Sequence, residues 1–99
     1  MPDTSSNFEW NAAKAAANLK KHGVSFEEGA TAFEDDHAYI QDDELHSDAE
    51  PRQTLIGYSK RNRLVVVSFA PRASNIIRII SARKAMPSER GWYEETNDF

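Results

Sequence analysis

The sequence contains no cysteine, which excludes disulfide bonds, thiolate metal sites and cysteine nucleophiles. Its longest unbroken apolar run covers only residues 64–67, far below the roughly 20 residues that span a bilayer. It also lacks a glycine-rich phosphate loop, a nucleophile elbow and a dinucleotide fingerprint, so we do not expect a kinase, a serine hydrolase or a dehydrogenase. The polar residues 1–6 lack the features of a signal peptide, and we therefore expect a cytoplasmic protein.

Charge is unevenly distributed along the chain. Residues 1–51 carry three lysines against twelve acidic residues, a net charge of −9, whereas residues 52–90 carry nine basic residues against one glutamate, a net charge of +8. A local basic field attracts phosphates even when the whole chain is negative, because charges are screened beyond a Debye length of roughly 8–10 Å. The second half could therefore bind nucleic acid, or the two halves could pair with each other.

Capping residues predict two helices near the amino terminus. Asn11 is a good N-cap for an alanine-rich and lysine-rich segment, and Gly23 stands where a C-terminal cap would end that helix. Ser25 and Glu28 form a capping box, which predicts a second helix that ends near Glu34.

A change of pattern after the helices predicts a sheet. The apolar residues become β-branched and the turns become short, which is typical of antiparallel strands. Strands are expected over residues 53–59, 63–70 and 75–81, and one more short strand is expected around residues 38–40. The strand at 63–70 is apolar on nearly both faces, so it should lie centrally and be covered by helices.

The remaining pattern completes an α+β domain. A final helix is expected to begin at Pro87 and to end near Thr96. We thus expect two N-terminal helices, a twisted antiparallel sheet of three to four strands and a C-terminal helix. One domain would cover residues 8–96, between tails at 1–7 and 97–99, and a chain of 99 residues leaves no room for a separate cofactor domain. No cofactor is expected.

Several residues in this framework are suited to cutting RNA without a metal ion. Such a reaction needs a proton acceptor for a ribose 2′-hydroxyl, a cation for the charged phosphorane and a proton donor for the leaving oxygen. Each candidate also has a structural alternative: a helix cap, an ion-paired surface position or core packing. The candidates are Lys20, Lys21, His22, Arg63, Arg78, Arg83, Glu89 and Tyr93.

The spacing of these candidates constrains where they can meet. Glu89 and Tyr93 stand four positions apart, hence on one helix face. Arg78 and Arg83 have opposite strand parity, so both can line one groove only if the strand bends or ends between them. We expect the strand to end near Ser81.

The acidic segment at residues 35–48 raises the possibility of a metal site, because carboxylates and imidazole bind divalent cations. Its acidic cluster lacks the alternation and the glycine of an EF-hand loop, and His37 and His46 lie nine positions apart. We therefore expect no metal site.

Blocks of residues along the chain resemble the BrnT family of toxins. Single blocks are weak, but their order and spacing over roughly residues 8–95 are specific. The blocks are Phe8-Glu9-Trp10, Lys14, Asn18, Lys21-His22-Gly23-Val24-Ser25-Phe26, Glu50 with Arg52, Ile56-Gly57-Tyr58-Ser59, Ile79-Ile80-Ser81-Ala82-Arg83-Lys84-Ala85 and Glu89-Arg90 with Tyr93.

The resemblance implies a type II toxin with a RelE-like fold, acting as a metal-independent endoribonuclease that halts translation. Its partner would be a BrnA-like antitoxin, which would also provide the contact with operator DNA. The alternatives are a non-catalytic module that binds nucleic acid or the antitoxin in autoregulation, and a structural subunit that only assists repression. Positions matched to the family suggest catalytic roles for His22, Arg63, Arg83, Glu89 and Tyr93, and we expect RNA binding by Lys20, Lys21, Arg61, Arg78 and Lys84.

Overall fold

The computed structural model describes residues 7–43 and 51–97, which form a mixed sheet covered by helices. None of the helices in these two ranges is long and apolar enough to cross a membrane. In chain order the elements are β1 (Asn7–Glu9), α1 (Ala12–His22), α2 (Phe26–Thr31), a 3₁₀ turn (Ala32–Glu34), β2 (Tyr39–Asp42), β3 (Gln53–Tyr58), β4 (Leu64–Arg72), a 3₁₀ turn (Ala73–Asn75), β5 (Ile76–Lys84) and α3 (Pro87–Asn97).

The caps of α1 and α2 lie where the sequence predicts them. The Asn11 side chain accepts a hydrogen bond from the backbone N–H of Lys14 at 3.0 Å. Gly23 ends α1 with φ of 72°, a left-handed conformation that glycine adopts without strain. The hydroxyl of Ser25 accepts a hydrogen bond from the N–H of Glu28 at 2.9 Å. The Glu28 carboxylate, however, bonds to distant residues described below.

The sheet differs from the predicted one in strand number and in direction. The described residues form five strands in the order β1-β5-β4-β3-β2, and β1 precedes the helices and pairs in parallel with β5. The α+β class is confirmed, whereas the expectation of three to four antiparallel strands is wrong. Strand β1 has three residues, and its partners at 76–78 are almost seventy positions away, so no local pattern marks it.

Helices cover both faces of the sheet, with α1 and α2 on one face and α3 on the other. Alternate residues of a strand point to opposite faces. Val65 and Val67 pack with Phe26 of α2, on what we call the α1/α2 face. Leu64 and Val66 pack with Tyr93 of α3, on the α3 face. Strand β4 is thus central and buried on both faces, as its sequence predicts.

Strand β5 continues past Ser81, where we expected it to end, and it contains an irregularity. Ser81 pairs with Ser68, but Phe69, the next residue of β4, pairs with Ile79. Ile80 is therefore an extra residue in β5, which is the arrangement of a β-bulge. The prediction that the strand ends near Ser81 was wrong, because a bulge lets β5 continue although the alternation of its side chains between the two faces is interrupted.

The bulge brings two arginines to the same face of the sheet. Arg78 pairs with Ala70 and Arg83 pairs with Val66. Ala70 and Val66 are four residues apart on regular strand β4, so they share a face, and so do their partners. The α3 face therefore carries both arginines, although their separation of five positions in sequence predicts opposite faces.

Asn18 ties α1 to the sheet. This residue is buried, and its side-chain amide donates to the carbonyl oxygens of Val24 at 2.9 Å and Ala82 at 2.7 Å. Its side-chain oxygen accepts a hydrogen bond from the N–H of Ala82 at 3.2 Å. One side chain therefore satisfies backbone groups of the loop after α1 and of β5, as buried polar groups require.

We expect Asn18→Ala to lower the free energy of unfolding by about 1–3 kcal/mol, because it leaves buried backbone groups of Val24 and Ala82 without partners. Denaturant unfolding of the purified protein measures this change. Lys21→Ala, on the exposed surface of the same helix, is the control and should change stability by less than about 0.5 kcal/mol. If the two substitutions lower the free energy of unfolding equally, Asn18 does not join α1 to the sheet as described.

Candidate active site

A cleft of about 390 Å³ lies on the α3 face, beside the first turn of α3. Strands β2 to β5 all contribute to it, so the sheet forms its floor. Polar and charged side chains predominate among the residues that line it: Gln41, Asp43, Arg52, Thr54, Val66, Ser68, Ser81, Arg83 and Glu89. Of the residues that the sequence proposes as a site, Arg83 and Glu89 line this cleft.

Arg83 and Glu89 form a two-bond ion pair. Nη1 of Arg83 donates to Oε1 of Glu89 at 2.8 Å, and Nη2 donates to Oε2 at 2.6 Å. The Glu89 side chain is 8% exposed and that of Arg83 is 35% exposed. Oε1 also accepts the backbone N–H of Met86 at 2.8 Å, which is the returning half of a capping box at the start of α3. The Arg83 guanidinium holds the pKa of Glu89 below its ordinary value.

The guanidinium of Arg83 keeps part of its hydrogen-bonding capacity. Of its five N–H groups, two donate to Glu89 and a third donates to the carbonyl of Lys84 at 3.3 Å. The other two are the Nε–H and the second Nη2–H, and among the described residues neither has an acceptor. These two groups lie side by side on one edge of the planar guanidinium, where they suit two oxygens of a phosphate.

Arg63 also forms a pair with a glutamate, but on the α1/α2 face and in another geometry. Its Nε donates to Oε2 of Glu28 at 2.9 Å, and its Nη2 donates to the other carboxylate oxygen and to the carbonyl of Gly23. The buried carboxylate also accepts the hydroxyl of Ser59 at 2.7 Å, and Nη1 of exposed Arg61 lies 3.8 Å from it. Hydrogen bonding to Arg63 lowers the pKa of Glu28. The side-by-side donors of Arg63 are thus occupied.

Tyr93 lies in the core rather than along the cleft. Its hydroxyl donates to Oδ2 of Asp35 at 2.8 Å, and the same oxygen accepts the N–H of Tyr58 at 2.9 Å. Burial and the bond to Asp35 raise the pKa of Tyr93. Burial alone would raise the pKa of Asp35, but the N–H groups of Tyr58 and His37 and the Tyr93 hydroxyl lower it overall. Tyr93 therefore anchors α3 to the loop before β2.

The other predicted site residues lie outside the cleft. Arg78 shares the α3 face, where its Nη1 lies 3.4 Å from Oε2 of Glu9 on β1. Lys84 pairs with Val65, which places it on the opposite face. Lys20, Lys21 and His22 form the last turn of α1, which also belongs to that face. The structure thus divides the predicted residues between two faces of one sheet.

A sequence profile described as "Ribonuclease toxin, BrnT, of type II toxin-antitoxin system" matches residues 10–89 of the 99-residue chain. The chain belongs to this family. It is therefore a ribonuclease toxin, and a type II system implies an RNA target and an antitoxin partner. The BrnT resemblance predicted from the sequence is confirmed.

The fold has a counterpart among solved structures. A crystal structure of the Brucella abortus ribonuclease toxin, BrnT, is similar to this chain, with a TM-score of 0.63 and 24% sequence identity. The match covers 83% of this chain and 99% of that chain. No protein with a curated description matches the sequence. At this identity the similarity between the two BrnT-family structures concerns the fold.

Sequence reasoning missed most of the residues that line the cleft of this BrnT-family protein. Thr54, Ser68 and Ser81 are polar residues of three neighbouring strands, and all three lie on the cleft floor. Ser68 and Ser81 interrupt apolar stretches of β4 and β5, which was a usable signal. Nothing in the local sequence marks Gln41, because β2 meets the cleft only through strand pairing. Arg52 stands in one of the blocks that resemble the family, but no site role was predicted for it.

The acidic segment contributes little that can be assigned to a metal. In residues 7–43 and 51–97, no group of three or more histidine and acidic side chains is arranged to hold a metal ion. His46 and most of its acidic neighbours lie outside the described residues. His37 bonds to Asn97 of α3, with its Nδ1 3.0 Å from the side-chain oxygen.

We expect Glu28→Gln to lower the free energy of unfolding by about 1–3 kcal/mol at neutral pH, because an amide cannot accept the full set of bonds from Arg63 and Ser59. The pKa of Glu28 is lower in the folded chain than its ordinary value of 4.5. The carboxylate therefore stabilises the fold above that value, and this contribution is lost as the pH falls through the lowered pKa.

Denaturant unfolding at neutral pH and at about pH 3.5 measures this difference. The difference in the free energy of unfolding between wild type and Glu28→Gln should be smaller at the lower pH. Glu27→Gln, at an exposed position of the same helix, is the matched control and should have little effect at either pH. If this difference in the free energy of unfolding is equal at both pH values, the charge of Glu28 does not stabilise the fold.

Proposed function

We propose that this BrnT-family ribonuclease cleaves RNA in the α3-face cleft without a metal ion, with Arg83 bound to the scissile phosphate. The observation that carries the proposal is the geometry of Arg83. Glu89 holds one edge of the guanidinium, and the two N–H groups of the adjacent edge are left for a ligand. Arg63 has already used the equivalent donors on a buried carboxylate, so its geometry supports a structural role.

The proposed reaction is an internal transesterification. The ribose 2′-oxygen attacks phosphorus, the bond from phosphorus to the 5′-oxygen breaks, and the products carry a 2′,3′-cyclic phosphate and a 5′-hydroxyl. Negative charge increases on the phosphorane oxygens, where a preorganised cation is most effective. Arg83 would supply this cation, because its partner Glu89 already holds it in place before RNA binds.

Glu89 is the proposed acceptor of the 2′-hydroxyl proton. Its carboxylate lines the cleft beside Arg83, and its Oε2 accepts only one hydrogen bond from the described residues. Water entering the open cleft would protonate the leaving 5′-oxygen. Tyr93 is proposed to position α3, since its hydroxyl is bound to Asp35.

The predicted RNA contacts outside the cleft are kept as proposals. Arg78 would bind phosphate on the α3 face, and a longer RNA could reach the α1/α2 face. There Lys20, Lys21, Arg61 and Lys84 would act as outer contacts rather than in the reaction. His22 and Arg63, for which the sequence predicted catalytic roles, lie on that face as well, so the proposed reaction does not use them.

We also propose the finer biological assignments that the resemblance implies. The partner would be a BrnA-like antitoxin, operator DNA would be contacted only through that antitoxin, and RNA cleavage in the cytoplasm would halt translation. The order and spacing of the matching sequence blocks support these assignments.

We expect Arg83→Ala to lower the rate of RNA cleavage by about 10²–10³-fold, the usual loss for one preorganised transition-state donor. Arg83→Lys keeps the positive charge but loses the paired donors, so it should give an intermediate rate. Arg90→Ala, on α3 and bonded to the Tyr58 hydroxyl at 3.0 Å, removes the same charge away from the cleft and is the control.

The test measures cleavage of purified RNA by each variant, identifies the product ends, and checks the folding of each variant by thermal unfolding. Activity should persist in EDTA and leave 2′,3′-cyclic phosphate ends, and induced expression should arrest growth in a bacterial host. If folded Arg83→Ala and Arg83→Lys cleave as wild type does, the cleft assignment is wrong. RNA binding with no cleavage by the wild type would favour the non-catalytic module instead.

A further inference from the structure

Trp92 is an exposed aromatic residue on the helix that borders the cleft. Its relative exposure is 45%, whereas tryptophan side chains are highly buried on average. It follows Glu89 by three positions on α3, hence by roughly 4.5 Å along the helix axis. The two residues therefore lie within one helical turn of each other.

Helix geometry places Trp92 on the same flank of α3 as the cleft. Arg90 bonds to the hydroxyl of Tyr58, at the end of β3 away from Thr54 and the cleft floor. Residues of an α-helix advance by about 100° each, so Trp92 lies about 160° from Arg90 and about 60° from Glu89. The indole therefore projects from the side opposite Arg90, next to the side that lines the cleft.

The position of α3 is held by contacts at both ends. Glu89 bonds to Arg83 and to the N–H of Met86 at the first turn. Near the last turn, the Asn97 side-chain amide donates to the carbonyl of His37 at 2.9 Å. A helix fixed in this way presents Trp92 at a constant position relative to Arg83, as a binding platform requires.

We propose that the exposed indole of Trp92 is a nucleobase-binding site, which stacks on a base of the RNA whose phosphate lies at Arg83. This inference rests on the proposed function of the cleft. Aromatic side chains bind single-stranded RNA by stacking on unpaired bases, and such contacts tolerate different sequences.

Binding of a substrate that cannot be cleaved tests the proposal. A 2′-O-methyl oligoadenylate lacks the attacking hydroxyl, so binding can be measured without reaction. Trp92→Ala should weaken its binding by roughly 5- to 150-fold, the range for loss of one stacked base. Trp92→Phe should recover part of this loss. An abasic oligomer of equal length should bind wild type and Trp92→Ala alike, because it has no base to stack.

Two further variants sharpen the test. Leu19→Ala is the matched control, since Leu19 is 49% exposed on α1, which packs on the other face of the sheet. Trp10→Phe retains an aromatic ring against Phe26, where the ring centroids are 5.9 Å apart, and leaves Trp92 as the sole tryptophan. The fluorescence of Trp92 should then be quenched by the oligoadenylate and not by the abasic oligomer.

The inference fails if the oligoadenylate binds Trp92→Ala as tightly as wild type. It also fails if Trp92→Ala weakens binding of the oligoadenylate and of the abasic oligomer by the same factor. It also fails if Trp92→Ala weakens binding of the antitoxin alone, which would make Trp92 a protein contact. Arg83→Ala distinguishes the two proposals. If Arg83→Ala weakens oligoadenylate binding and Trp92→Ala does not, only the base site is wrong; if neither variant weakens it, the proposed cleft itself is wrong.

Discussion

Strand β4 has to be covered on both faces, and the rest of the structure depends on this constraint. Its residues 64–67 are all buried, with alternate side chains pointing to opposite sides of the sheet. Each such side chain stabilises the fold by about 1.5–3 kcal/mol only when water is excluded from it. Helices α1 and α2 cover one face and α3 covers part of the other. The uncovered part of the α3 face is the cleft.

The same arrangement separates two arginine–glutamate pairs that have similar chemistry. Arg63 lies against α2 and gives its side-by-side donors to Glu28, a carboxylate that is nearly inaccessible to solvent. Arg83 meets Glu89 end-on, so the side-by-side donors remain for a ligand. Identical residue types therefore differ in what they leave for a ligand: the side-by-side donors are occupied in one pair and open in the other. Orientation of the guanidinium, rather than the presence of an ion pair, makes the difference.

Predictions from the sequence succeeded where the interacting groups are close along the chain. The caps at Asn11, Gly23 and Ser25 involve partners within four positions, so local spacing identifies them. The parallel strand β1 and the bulge at Ile80 were missed. Both arise from pairing between strands distant in sequence, and a single extra residue in β5 reverses the parity argument for Arg78 and Arg83.

The sequence by itself determined the family, the α+β class, the ends of the first helices and the concentration of basic residues in the second half of the chain. These properties depend on residue types and on short spacings. The tertiary structure decided which predicted residues share the cleft and which arginine keeps donors for a ligand. The partners that make this choice are far apart, with Glu28 and Arg63 separated by 35 positions and Asp35 and Tyr93 by 58. Hydrogen-bonding capacity is consumed only where the fold brings such groups together.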